Sequence, residues 1–283
     1  MKPVHLLLIG LASLAYAGED GNDGLHAPVC PIDTGTDGIS ITVIDTWTPG
    51  VQVLGLDWLN SEDGYVIMAS AVDDRINRWD AAGGCMAGGI DLMDSNANCF
   101  GVAAGPAGAL FTSNDWDLTN LFVNENGAWV DFPANPAGNK GRGMEFDEET
   151  GEYWEAHSDD GVYSIYNFVP GGTTNRFIIS EPSYQLSGLA VFPCNGNLGV
   201  VVTSYNVHQF YFYEYDGSTL THFGTVPCPS MGQAQSYGLC YADSRGTFFW
   251  SWAKGSACYL SELDIDFDAG LTHDTWGSIK AQF

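Results

Sequence analysis

The chain has 283 residues and carries 35 Asp and Glu against 9 Lys and Arg, a formal net charge of −26. That imbalance argues against nucleic acid and anionic membrane surfaces as partners, since both would repel it. Once an N-terminal leader is set aside, about 265 residues remain, ample for one domain with its own core and tight for two.

The leader is read from residues 1–17. Lys2 supplies the positive end, Val4 to Leu14 an apolar stretch, and Ala15-Tyr16-Ala17 a cleavage signal, so the mature chain is expected to start at Gly18, secreted or periplasmic. No later segment approaches the roughly 18 apolar residues of a transmembrane helix. Residues 18–38 are rich in Gly, Asp and Pro and read as a flexible lead-in. Residues 39–47, ISITVIDTW, form a β-branched run with strand character.

From residue 55 a phrase recurs five times. A glycine opens an apolar run, a turn glycine follows, and two more strand-like runs come after it. The openers are Gly55, Gly101, Gly143, Gly188 and Gly238, separated by 46, 42, 45 and 50 residues. The turn glycines are Gly64, Gly108, Gly151, Gly196 and Gly246. A repeat of this length built from strands predicts an all-β propeller over residues 39–270, with each unit a three- or four-stranded antiparallel blade. Five blades are expected. Six is the alternative, if a degenerate blade hides in the long connections. The strand at 39–47 is expected to close the ring as the outermost strand of blade five, and residues 271–283 read as a tail or a competing closing strand. Glycine is expected at the openers because the innermost strands crowd around the axis.

Seven cysteines lie beyond the leader. Cys85 with Cys99 and Cys194 with Cys228 are the expected disulfides. Cys240 and Cys258 fall on the first and third strands of one blade, too far apart to bridge. The odd cysteine and the exposed outer strands leave room for self-association.

The units resemble the NHL and SMP-30-like propeller repeat, and Gly55 to Asp80, GLDWLNSEDGYVIMASAVDDRINRWD, is the nearest copy. The resemblance implies a propeller and two classes of function. One comprises lactonases and other metal-dependent hydrolases, and the other comprises protein- or glycan-binding modules. Relatives with a catalytic metal hold it with Glu, Asn and Asp near the channel. Asp57 and Glu145, two residues past their openers, match in part, whereas Ala103, Ala190 and Cys240 stand at the same place in the other units. Ca²⁺ is the ion such a ring would suit, and no metal is assigned.

Asp57, Glu145 and His157 are the catalytic candidates, the first two as a facing carboxylate pair and the third for proton transfer. A ligand-binding rim is expected from Asp73, Asp74, Asp115, Trp116, Arg142, His157, Asn206, His208, Tyr237 and Trp252, which lie where loops gather on one face. The expected function is a binding or structural surface module for a glycan or protein. The alternative is a hydrolase, lactonase-like or glycosidase, with an axial carboxylate site. A binding module predicts a shallow rim and no buried carboxylate pair; an enzyme predicts a deep channel in which Asp57 or Glu145 has a raised pKa or holds a metal.

Overall fold

A computed structural model describes residues 38–267, except 60–63, 71–74, 92–98, 106–110, 116–118, 126–127, 160 and 230–233. Twenty strands form five four-stranded antiparallel sheets. Blade one is β2 (Gly55–Leu59), β3 (Tyr65–Ser70), β4 (Arg75–Asp80) and β5 (Cys85–Asp91). Blade two is β6 (Cys99–Ala104), β7 (Phe111–Asp115), β8 (Asn120–Glu125) and β9 (Ala128–Ala134). Blade three is β10 (Gly141–Asp147), β11 (Glu152–Asp159), β12 (Val162–Phe168) and β13 (Thr174–Ile179). Blade four is β14 (Leu186–Cys194), β15 (Asn197–Ser204), β16 (Gln209–Tyr215) and β17 (Leu220–Pro227). Blade five is β18 (Gln235–Ala242), β19 (Thr247–Lys254) and β20 (Ala257–Asp266), closed on its outside by β1 (Ser40–Trp47).

The closing strand pairs Ser40 with Asp266 and Trp47 with Leu260, so the two ends of the repeat share one sheet. The innermost strands β2, β6, β10, β14 and β18 each touch the next, and β18 returns to β2. Inner strands are buried on both faces, as β2 and β6 are throughout, because each blade is sandwiched between two neighbours. Outer strands such as β13 and β1 face solvent along most of their length. The surface where the inner strands begin is the upper face. The surface where they turn into the second strands is the lower face.

The five openers do crowd together. A Cβ on Gly188 would lie 2.4 Å from the Tyr237 carbonyl oxygen and 2.9 Å from the carbonyl carbon of Gly238. One on Gly143 would lie 2.7 Å from the Gly188 Cα, and one on Gly55 2.9 Å from the Gly101 Cα. Bulges interrupt the ladder at the openers of blades two to five, and hydroxyls of the second strand take up freed amides. Gly188 N–H donates to Thr203 Oγ1 at 3.0 Å and Gly238 N–H to Ser251 Oγ at 2.8 Å. Those hydroxyls donate onward to the next blade, Thr203 to the Tyr237 carbonyl and Ser251 to the Val53 carbonyl. The turn glycines Gly64, Gly151, Gly196 and Gly246 all have φ between 64° and 80°, the left-handed region where side chains are strained.

The core lies between blades. Phe192, Phe212, Phe248, Trp250 and Phe267 pack between blades four and five, with Phe192 stacked on Phe267 at 5.3 Å. Trp58 and Phe249 stack at 5.6 Å between blades five and one, where Trp47 of the closing strand joins them. Each fully buried aromatic contributes about 1.5–3 kcal/mol through area removed from water.

The expected disulfides do not form. Cys85, Cys99 and Cys228 are not disulfide-bonded, and neither are Cys240 and Cys258. Cys85 opens an outermost strand at the lower face, while Cys99 opens an innermost strand at the upper face, so a sheet's width and depth separate them. Cys194 ends β14 at the lower face and Cys228 follows β17 at the upper face. Cys194 is disulfide-bonded, and its partner is none of those five.

Candidate functional site

Two regions gather polar side chains near the channel. The first is the axis. The innermost strand of each blade is hydrogen-bonded on one side only, so some of its amides point inward with no ladder partner. Five such amides occupy equivalent places three residues past the openers: Trp58, Ala104, Phe146, Val191 and Tyr241. All five face two side chains. Asp57 accepts from Trp58 N–H at 2.7 Å on Oδ1 and from Ala104 N–H at 2.5 Å on Oδ2, and the nearby Phe146 amide also favours its charged form. Glu145 accepts from Val191 N–H at 3.1 Å, and the nearby Tyr241 amide also favours its charged form. Each acid thus reaches the next two blades around the ring.

Asp57 and Glu145 are buried, and burial pushes both carboxyls well above the usual range. The Asp57 charge adds to the rise at Glu145, and Asp243 raises both. Asp243 itself is pushed up to about 6 by burial and by Glu148 and Asp147. The absence of a buried carboxylate pair, expected of a binding module, is therefore corrected, because backbone amides that need acceptors drew both acids inward. The same amides argue against Ca²⁺ here, since five inward N–H dipoles oppose a cation. Among the described residues no three His, Cys, Asp or Glu side chains are placed to share a metal. On the lower side Glu145 reaches a cavity of about 250 Å³ lined also by Asp147, Glu148, Glu149 and Asp243.

The second region is the upper face. Asn206 and His208 of blade four and Gln235 of blade five line a cavity of about 430 Å³ with Ala234, Ala253 and Gly255. His208 Nε2 meets the Ala234 carbonyl at 2.5 Å. Tyr237, next to its opener, is buried. Its hydroxyl accepts from Gln52 Nε2 at 3.0 Å and donates to Gln235 Oε1 at 2.9 Å, and its ring meets Tyr205 edge-on at 5.5 Å. Sequence reasoning missed Gln52 and Gln235; their signal is a glutamine three positions before an opener.

The remaining rim candidates divide. Arg142 and His157 are buried between blades two and three and are not exposed rim groups. The Arg142 guanidinium sits 5.2 Å over the Phe100 ring, and burial lowers its pKa to about 10 against the pull of Glu155 and Asp159. His157 packs edge-on to Tyr166, and its Nδ1 has no hydrogen-bond partner. Burial, with the nearby charges of Arg176, Arg142 and Lys140, lowers its pKa to about 4 despite Asp159. Trp252 is turned along its own sheet, donating to Ser261 Oγ at 3.0 Å and stacking on Tyr259 at 4.1 Å. Asp115 ends β7, with its side chain outside the described residues. Asp73, Asp74 and Trp116 also lie outside them.

In fold the chain is similar to glutaminyl cyclase of Myxococcus xanthus, with a TM-score of 0.58 and 15% identity over 80% of this chain and 96% of that one. It is a β-propeller. Virginiamycin B lyase of Staphylococcus aureus has a TM-score of 0.47 and 11% identity over 75% of this propeller and 65% of that chain. A chain of a nidogen–laminin complex has a TM-score of 0.48 and 14% identity over 71% and 74%. At such identities the likeness is one of fold, in keeping with the NHL and SMP-30-like repeat. No family model and no curated protein matches the propeller's sequence.

Proposed function

We propose that this propeller is an exported binding module that holds a neutral glycan in the upper-face cavity between blades four and five. The observation that carries this reading is how the polar groups are spent. The two axial acids are taken up by backbone amides, while Asn206, His208 and Gln235 line an open cavity. Amide and imidazole groups suit hydroxyls, and the buried Tyr237, packed on Tyr205, holds Gln235 from behind. The formal charge of −26 disfavours an acidic ligand.

Calorimetric titration with neutral oligosaccharides tests it. Asn206→Ala and His208→Ala are expected to weaken binding at least about tenfold, roughly 1.4 kcal/mol, while Glu145→Gln leaves it unchanged. Saturable binding of peptides but not of sugars would redirect the reading to a protein ligand.

A hydrolase is the second reading. It is favoured by the raised carboxyls of Glu145 and Asp243 at the lower cavity. It requires turnover of a lactone or glycoside that Glu145→Gln abolishes in a folded protein.

A further inference from the structure

The inner edges of five sheets meet at the axis, and each edge brings one inward amide. A buried donor without an acceptor costs about 1–3 kcal/mol, so the ring needs acceptors there. Only two of the five side chains at the equivalent inner position can accept. Asp57 and Glu145 face all five amides: Asp57 accepts from Trp58 and Ala104 and lies near Phe146, and Glu145 accepts from Val191 and lies near Tyr241. The other three positions hold Ala103, Ala190 and Cys240, each wholly buried.

The surroundings of this pair are acidic or apolar. From β18 the acids meet the Cys240 thiol, held neutral by burial and by both carboxyls, and Tyr241, pushed up to about 12. Past the end of β18, Asp243 acts on both acids, and Asp147 and Glu148 act on Asp243 in turn. Strands β6 and β14 present only alanine at this level. Two carboxylates enclosed together repel, and amide donors offset that repulsion only in part. Protonating one removes the repulsion while leaving its carbonyl oxygen to accept.

We propose that Asp57 and Glu145 form a proton-holding clasp on the axis. Together they carry no more than one negative charge while the ring is tight, and release of the last proton to solvent loosens the grip on the five inner strands. Asp57, which accepts from two amides, keeps the charge, and Glu145, which accepts from one, keeps the proton. The sign follows from linkage. The folded protein binds protons that the unfolded chain has already released, so stability falls as pH rises above the ordinary carboxylate range. The clasp makes the propeller tightest in mildly acidic surroundings.

Glu145→Gln tests this, because an amide copies the protonated acid. Thermal unfolding is followed from pH 4 to pH 9 in the wild type, Glu145→Gln and Asp243→Asn. The wild-type midpoint is expected to fall with pH by about 5 °C or more, and Glu145→Gln to lose at least half of that slope. Asp243→Asn is expected to change mainly the segment below about pH 6 and to keep the rest. A Glu145→Gln protein with the wild-type slope overturns the proposal. Infrared spectroscopy of the wild type decides the case even if the variant fails to fold. A protonated-carboxyl band persisting at pH 7 and disappearing at higher pH supports the clasp, and its absence at pH 7 refutes it.

Discussion

The axis and the upper-face cavity are built from similar residue types, yet their polar groups are used in opposite ways. At the axis the two acids accept from backbone amides of neighbouring inner strands, although Glu145 also borders the lower cavity. At the cavity, Gln52, Tyr237 and Gln235 form a short hydrogen-bonded chain that ends at a surface opening. A buried carboxylate with a raised pKa is therefore no sign of catalysis by itself, because the backbone around a propeller axis has its own need for acceptors. The groups available to a ligand are those whose bonds leave them at an opening.

The sharpest way to break this contrast is Asp57→Ala. It strands the Trp58 and Ala104 amides, and a loss of more than about 3 kcal/mol in unfolding free energy is expected from denaturant titration. Stability within 1 kcal/mol of the wild type would show that the acid is not structural. Gly188→Ala probes the same ring from its backbone. Its Cβ would sit against the Tyr237 carbonyl, with an expected cost of about 1–3 kcal/mol in the same assay. At the cavity, Tyr237→Phe releases Gln52 and Gln235 and is expected to weaken glycan binding about tenfold, measured by calorimetry, while costing about 1 kcal/mol of stability. The smallest effect is at His157. Its depressed folded pKa means that the unfolded chain binds the proton first, so its contribution is present above pH 6.5 and is lost as pH falls through about 4. An NMR titration should place its imidazole near 4, and His157→Gln should make acid unfolding slightly less steep. A value near 6.5 would mean that the blade two–three interface is open to water.

Much of the fold was legible in the chain. The openers and turn glycines report backbone constraints, which act at single positions and survive any rearrangement of side chains. The free strand at 39–47 also found its place, because a blade with three strands of its own leaves an edge that another strand covers. The disulfides were not legible. Spacing along the chain says nothing about whether Cys85 and Cys99 fall on the outer and inner strands of different blades. The roles of Arg142 and His157 were misjudged for a related reason. Both lie within a few residues of a strand end at the upper face, where exposure is the ordinary outcome, yet the packing of blade three against blade two encloses them. Thr203 and Ser251 left a faint signal, a hydroxyl in an otherwise apolar second strand, whose meaning depends on the opener amide across the bulge.

The sequence alone determined the repeat and the glycine-lined crowding at its centre, and it favoured five blades over six, because each follows from local sterics and from strand-length patterns; the sheet topology decided five. It also placed Asp57 and Glu145 at equivalent inner positions and showed that Ala103, Ala190 and Cys240 do not repeat them. Only the tertiary structure decided what those two acids do. Their partners are amides contributed by five separate blades, 42 to 50 residues apart from one inner strand to the next, and no local pattern records that those amides converge on one axis.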